Sequence, residues 1–208
     1  GDQPVDTGFI VFNYANYPHM AALFAELGVP VVKSNMSFGA SIGGGRLEYG
    51  LASLDALFAQ RMNAVNPKFL RMVRDILRFN KNALRLAEDR NLTTAQFLDK
   101  LGTGDWFRDY YLLPLSGAIW STPTHKIMDF PAHAMVQFFE NHALLNTTGQ
   151  HQWYTVDGGS IEYVRRLEAA MLGRGVNVRL DAPVQSVRRV AGGAEVKALG
   201  GEWEAFDQ

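Results

Sequence analysis

The sequence predicts an α+β fold: a helical assembly with a small mixed or antiparallel sheet, followed by a partial β-meander. Three observations predict it. Apolar residues recur at helical spacing between capping residues from Pro18 to about residue 145. A run rich in β-branched residues at 29–41 leads to a triple glycine at 43–45, and a second short extended run follows at 46–49. After Asn146 the pattern changes to short extended runs divided by glycine turns. The 208 residues are 47% apolar and 20% charged, which suits a packed core and not disorder.

Pro18 stands in a first helical turn, with Met20, Leu23, Phe24 and Leu27 on one face and Gly28 as the stop. Residues 35–42 and 46–49 are expected to pair as a hairpin around Gly43-Gly44-Gly45. A phosphate cradle is the other use of such a cluster, but no helix start, lysine or Ser/Thr of a P-loop follows it. Ser53 caps a helix through about Val65. Asn66-Pro67 opens the next, expected to reach about Arg90 with Phe69, Val73, Ile76, Leu77 and Leu84 as its apolar stripe. Thr93 and Gln96 form a capping box for 94–101, which Gly102 stops. Asp105 opens the aromatic run 106–113, which Pro114 is expected to end, and 115–122 has no clear period. Asp129 before Phe130-Pro131 reopens a helix to about Leu145. Then come an extended run at 153–156, a sharp turn at Gly158-Gly159 and a helix over 161–172 capped by Ser160. Strands are expected at 176–180, 184–190, 194–199 and 202–206.

Twenty basic against 21 acidic residues leave a net charge of −1, which supplies no overall field for nucleic acid. The absence of cysteine excludes disulfides, thiolate catalysis and Cys-ligated zinc. No apolar run approaches the roughly 20 residues of a membrane span. The histidines at 19, 125, 133, 142 and 151 match no metal-ligand spacing, so no metal is expected. No nucleophile elbow surrounds Ser116 or Ser160, and no carboxylate pair is placed for acid–base work, so no catalytic residue is assigned. Arg71, Arg74, Arg78, Lys81 and Arg85 share one helical ridge. Such a ridge is a solvated face, or a docking strip for anionic lipid headgroups or an acidic partner. The aromatics Trp106, Tyr110, Tyr111, Trp120, Phe138, Phe139 and Trp153 gather in the middle of the chain. Of these, Trp120 and Trp153 fall in irregular segments, where ligand-lining side chains tend to sit.

Three stretches resemble the flavin-containing amine oxidase and phytoene desaturase superfamily. They are Val5-Asp6-Thr7-Gly8-Phe9 with Tyr17-Pro18 and Leu27-Gly28-Val29; Val156-Asp157-Gly158-Gly159-Ser160 with Tyr163, Leu167 and Leu172; and Val176-x-Val178-x-Leu180 with Pro183-Val184-x-x-Val187. The likeness extends to a bacterial subgroup of NAD/FAD-binding oxidoreductases, whose substrate-domain helices and linker are resembled by 70–80, Ile119-Trp120-Ser121-Thr122-Pro123 and 130–145. The family's G-x-G-x-x-G turn for the pyrophosphate does not occur here.

The resemblance implies a helical substrate-binding domain at 1–150, and a turn, helix and partial meander of an FAD-binding domain at 151–208. The implied chemistry is hydride transfer from a C–N or C–C bond of an amine or a lipid-like (acyl or isoprenoid) substrate to FAD. Gly8, Gly158, Gly159 and Val184 are the expected cofactor neighbours, and Phe9, Trp120, Trp153 and His142 the expected substrate neighbours. The chain, opening at Gly1 without a charged-then-apolar leader, is expected to be a cytoplasmic piece of a longer enzyme. It is expected to retain no FAD and to be inactive by itself, with peripheral contact to anionic membrane through the basic ridge. A non-catalytic helical module binding lipid or protein is the alternative.

Overall fold

The computed structural model describes residues 5–6, 11–146 and 149–207. In chain order come β1 (Val11–Phe12), α1 (Pro18–Glu26), β2 (Val31–Ser34), β3 (Gly39–Ile42), β4 (Leu47–Gly50), α2 (Leu54–Leu57) and a 3-10 turn (Arg61–Val65). The helices α3 (Pro67–Leu86), α4 (Thr94–Leu101) and α5 (Asp105–Phe107) follow, then a π-helical turn (Arg108–Leu112) and α6 (Leu113–Trp120). The remainder is α7 (Thr124–Ile127), α8 (Ala132–Asn141), β5 (Trp153–Val156), α9 (Ile161–Gly173), β6 (Val184–Val190), β7 (Gly193–Ala198) and β8 (Trp203–Phe206). The class is α+β, and the described sheets are all antiparallel.

The larger core lies among the helices. Phe79, in the middle of α3, is fully buried and meets Phe97 of α4, Phe107 of α5 and Phe139 of α8 at centroid distances of 6.0, 5.5 and 5.7 Å. Each such ring removes enough apolar surface from water to contribute about 1.5–3 kcal/mol. The hairpin β3–β4 closes one end of this core: Ile42 pairs with Leu47 across the glycine turn, and buried Tyr49 packs on Phe69.

A smaller core holds the two sequence ends of the helical cluster together. β5 lies between β1 and β2, with Val11 opposite Thr155 and Val31 opposite Val156. Phe12, Phe24, Val29 and Val156 are buried beneath it, and Tyr163 of α9 packs on Phe24 of α1 (5.4 Å). A chain division at residue 150 therefore runs between strands that pair in space. The meander β6–β7–β8 is built as expected, with β6 an edge strand exposed along its whole length.

Several local expectations are corrected. The helix from Ser53 stops at Leu57, although Ser53 caps it by accepting the Ala56 N–H. Gln60 turns the chain back to the hairpin, its side chain accepting from Glu48 N (3.1 Å) and donating to Gly45 O (2.8 Å). On α3 the buried face is Phe69, Met72, Asp75, Phe79 and Ala83, while Leu77 and Leu84 of the expected stripe are exposed. Packing around Phe79 chooses the face, since the helix is apolar on two sides. Pro114 does not end its helix: the π turn before it places proline in the first turn of α6, where an N–H is not required. The helix expected to reach Leu145 ends at Asn141. The run 176–180 is not a strand, and Arg179 instead crosses to Glu204 of β8 with two hydrogen bonds (2.7 and 3.0 Å).

Candidate functional site

Two local arrangements bring the site together. The first is the turn between β1 and α1. The N–H of Asn16 donates to the side chain of buried Asn13 (2.8 Å), and Asn16 Nδ2 donates to the carbonyl of Asn141 (2.6 Å). The turn thereby serves the C-terminus of α8, whose last carbonyls lack helical partners. This contact sets Tyr17, at the start of α1, against His142, at the end of α8. The second is the central position of β5, which delivers Trp153 to the same place.

The result is a continuous aromatic wall. Phe138 and His142, one turn apart on α8, stack at 3.9 Å with 20° between planes. His142 is parallel to Trp153 within 9°, at 6.0 Å, and Tyr17 stands 6.3 Å from Trp153. Trp120, at the end of α6, extends the wall through Phe138 (5.1 Å) and stacks on Phe130 (5.4 Å). All six residues are half-buried, with faces neither sealed in the core nor fully open to solvent.

The wall carries one polar pair. His142 Nδ1 lies 2.9 Å from the Phe138 carbonyl. A carbonyl only accepts, so in the neutral ring Nδ1 holds the proton and Nε2 is the acceptor. Tyr17 therefore donates its hydroxyl proton to Nε2 across 3.3 Å. Burial raises the Tyr17 phenol above its ordinary value, which keeps that donor protonated.

A second cluster forms where two distant motifs meet. Gly158 and Gly159 both have positive φ (85° and 86°), a conformation that favours glycine. A Cβ on Gly159 would lie 3.3 Å from both carboxylate oxygens of Asp6. That carboxylate accepts the Ser160 N–H at 2.9 Å, and so places an anion at the positive end of α9. Ser160, expected as a cap, already has helical φ and ψ (−60° and −25°).

Trp120, His142 and Trp153 are thus brought into one wall, with Phe138 as the link between the first two. Gly158 and Gly159 form a separate turn, and Val184 opens β6 opposite Ala198. Gly8 and Phe9 lie outside the described residues. Tyr17, Phe138, Phe130 and Asp6 take part as well, although the sequence, which shows them within its motifs and aromatic cluster, assigns them no site role. The spacing of four between Phe138 and His142 on one helix was a legible signal for that pair.

The basic ridge is partly engaged within the fold. Arg71 and Arg74 flank the buried carboxylate of Asp75 (3.9 and 3.7 Å), and Arg78 donates to the Gly102 carbonyl at the end of α4 (3.0 Å). No observation supports a membrane contact. Among the described residues no helix is long and apolar enough to cross a membrane, and no three acidic or histidine side chains gather for a metal ion.

The sequence model for flavin containing amine oxidoreductases matches residues 1–208. Among solved structures, a double mutant of putrescine oxidase from a structure-based redesign of cofactor binding superposes with a TM-score of 0.65 at 18% identity, covering 98% of this chain and 46% of that one. Wild-type putrescine oxidase bound to putrescine gives 0.64 at 17%, with coverage of 98% and 46%. At such identity the likeness is one of fold, and the chain spans about half the length of the structures it matches (46%). No curated protein matches the sequence.

The family implies a flavin, and the residues present can be tested against one. A pyrophosphate requires a helix N-terminus with free N–H groups. The N-terminus of α9 already carries the Asp6 carboxylate, so an anionic pyrophosphate does not fit there. The aromatic wall, by contrast, is half-buried and largely aromatic, a surface on which an organic ligand can pack.

Proposed function

The chain belongs to the family of flavin containing amine oxidoreductases, and on that premise we propose that it forms the substrate-facing part of an FAD-dependent enzyme that oxidises a small amine. The single observation that carries this reading is the wall Trp120–Phe138–His142–Trp153 with Tyr17 at its edge. Its apolar faces receive the carbon body of a substrate and exclude water. The indole faces attract an ammonium group through cation–π interaction. An amine therefore suits the wall better than the acyl or isoprenoid chain that the aromatic content alone also allows.

In this reading residues 1–150 supply most of the substrate surface, and 151–208 belong with the flavin-binding part. The flavin, when bound, accepts the hydride. The role of this chain is to bind and orient the amine. The Asp6–Gly159 turn and Val184 lie on the side of the cofactor, whose pyrophosphate is held by other parts of a longer, cytoplasmic protein. The 208 residues alone then retain no FAD and turn over no substrate.

The test uses the full-length protein that carries this chain. Visible flavin bands in that protein, bleached by an amine under anaerobic conditions, are the expected result. In Trp153→Ala the amine concentration needed for half-bleaching rises about tenfold, as the loss of one stacked aromatic contact implies. A full-length protein without flavin, or a flavin that no amine reduces, overturns the proposal.

A further inference from the structure

Helix α3 exposes a row of leucines that its own core does not use. Leu70, Leu77 and Leu84 are 43%, 53% and 46% exposed and follow one another at intervals of seven. Seven residues make nearly two turns, so the three form a ridge that drifts by only ~20° per step. It runs opposite the buried face of Phe69, Met72, Phe79 and Ala83. Of the six cations of the helix, all but Lys68 stand one or four residues after a leucine, which places those five on the same side of the ridge. The other side presents Val73 and Asn80.

The charge on this face is only partly balanced from within, by Asp75 beside Arg71 and Arg74. Asp75 is the one acid in α3, and it is buried. Among the described residues, Lys81 and Arg85 pair with no carboxylate. The surface beside the ridge is also concave. A cleft of about 450 Å³ between α3 and α8 is lined by Leu84, Arg85, Glu88, His133 and Val136. A second, of about 220 Å³, lies between α3 and α4 with Arg78, Asn82, Arg85 and Lys100 in its walls.

These features choose among occupants. A bilayer is flat: it meets a ridge with cations on both flanks and does not enter clefts. A second copy of the chain offers no complement. In an antiparallel twofold pairing the cations face cations, and in a parallel one they face Val73 and Asn80. We infer that the exposed face of α3 docks an amphipathic helix of a partner protein, with an apolar residue at every seventh position and Asp or Glu along one flank. The leucine ridge supplies the contact area, and the one-sided charge sets orientation and partner choice.

The probe is a fluorescent 21-residue synthetic helix with Leu at every seventh position and Glu along one flank, titrated into the full-length protein. Saturable binding is expected, weakening about tenfold between low and moderate salt. Leu77→Ser and the pair Lys81→Glu with Arg85→Glu each weaken it at least about fivefold, and a peptide with Lys in place of Glu restores binding to the charge-reversed pair. Among the described residues the charge-reversed side chains carry no ion pair, and an unchanged melting temperature shows that the fold is retained. No saturation up to about 1 mM peptide, a level at which specific docking is absent, overturns the proposal. So does equal binding of the acidic and basic peptides. Leu77-dependent binding to vesicles of mixed phosphatidylserine and phosphatidylcholine without peptide binding assigns the face to membrane. Leu77-dependent self-association assigns it to a second copy.

Discussion

Gly159 shows how much can depend on a missing side chain. With φ at +86° and the Asp6 oxygens 3.3 Å from where a Cβ would stand, alanine there strains the backbone and crowds the carboxylate that caps α9. Gly159→Ala is expected to cost about 1–2 kcal/mol, read from urea unfolding, before any loss of the cap is counted. Asp6→Ala, which removes only the cap, should cost about 1 kcal/mol. Tyr49 offers a different test. Burial raises its phenol well above the ordinary value, and the neighbouring phenol of Tyr111, also raised by burial, adds to the shift. The folded state thus holds these protons more tightly than the unfolded chain does. Their stabilisation is complete below about pH 10 and fades as pH climbs above it toward the raised folded values. The melting temperature should therefore fall steeply above about pH 10. That slope should be shallower in Tyr49→Phe, which also gives up the hydrogen bond to the Tyr110 carbonyl (2.5 Å).

Helix α3 is fastened to its neighbours through a polar contact as well as through Phe79. Buried Asp75 accepts the N–H of Gly104, at the turn into α5, at 2.9 Å. Asp75→Ala leaves that donor without an acceptor and should cost about 1–3 kcal/mol, whereas Asp75→Asn keeps an oxygen in place and should cost less. Local signals of this kind are what the sequence made legible. The capping box at Thr93 and Gln96 and the αL glycine at 102 appear as expected, because each depends on residues within a few positions. The hairpin turn at Gly43–45 and the antiparallel meander were legible for the same reason. The extent of helix around Pro114 was not, since the π turn that accommodates proline leaves no mark in apolar spacing. The exposed leucines of α3 misled the stripe because two faces of that helix satisfy helical periodicity, and only the partners of Phe79 decide between them.

The candidate site was half legible. Trp120 and Trp153 stood out as aromatics in segments without clear period, and His142 as a titratable residue on the helix expected to reach Leu145, and the three share a wall. Tyr17 and Asp6 fell within a family-like motif but had no assigned site role, because their roles arise from contacts across the chain. The hydroxyl of Tyr17 reaches His142 only when Asn16 meets the end of α8. Asp6 reaches Ser160 only when the glycine turn lies beside it. The meander is held differently, by its own ladders and by surface pairs such as Arg179–Glu204 and Arg188–Glu195. Val184 and Val187 are 60% and 63% exposed on it. Amides on the outer edge of β6 should exchange with solvent well before those around Phe79, a difference that hydrogen exchange followed by mass spectrometry reads directly.

The central place of β5 in its sheet has a consequence for the order in which the protein is made. β1 and β2 emerge early, yet the strand that joins them follows the entire helical cluster. During synthesis those two segments must wait, while α3, α4, α5 and α8 assemble through contacts closer in sequence. Trp153 travels with the late strand, so the aromatic wall is closed by one of the last steps of folding. Pulse-labelled refolding should accordingly protect the amides of α3 before those of Val31–Ser34. A nascent chain halted before residue 153 would hold a packed helical core and an open site.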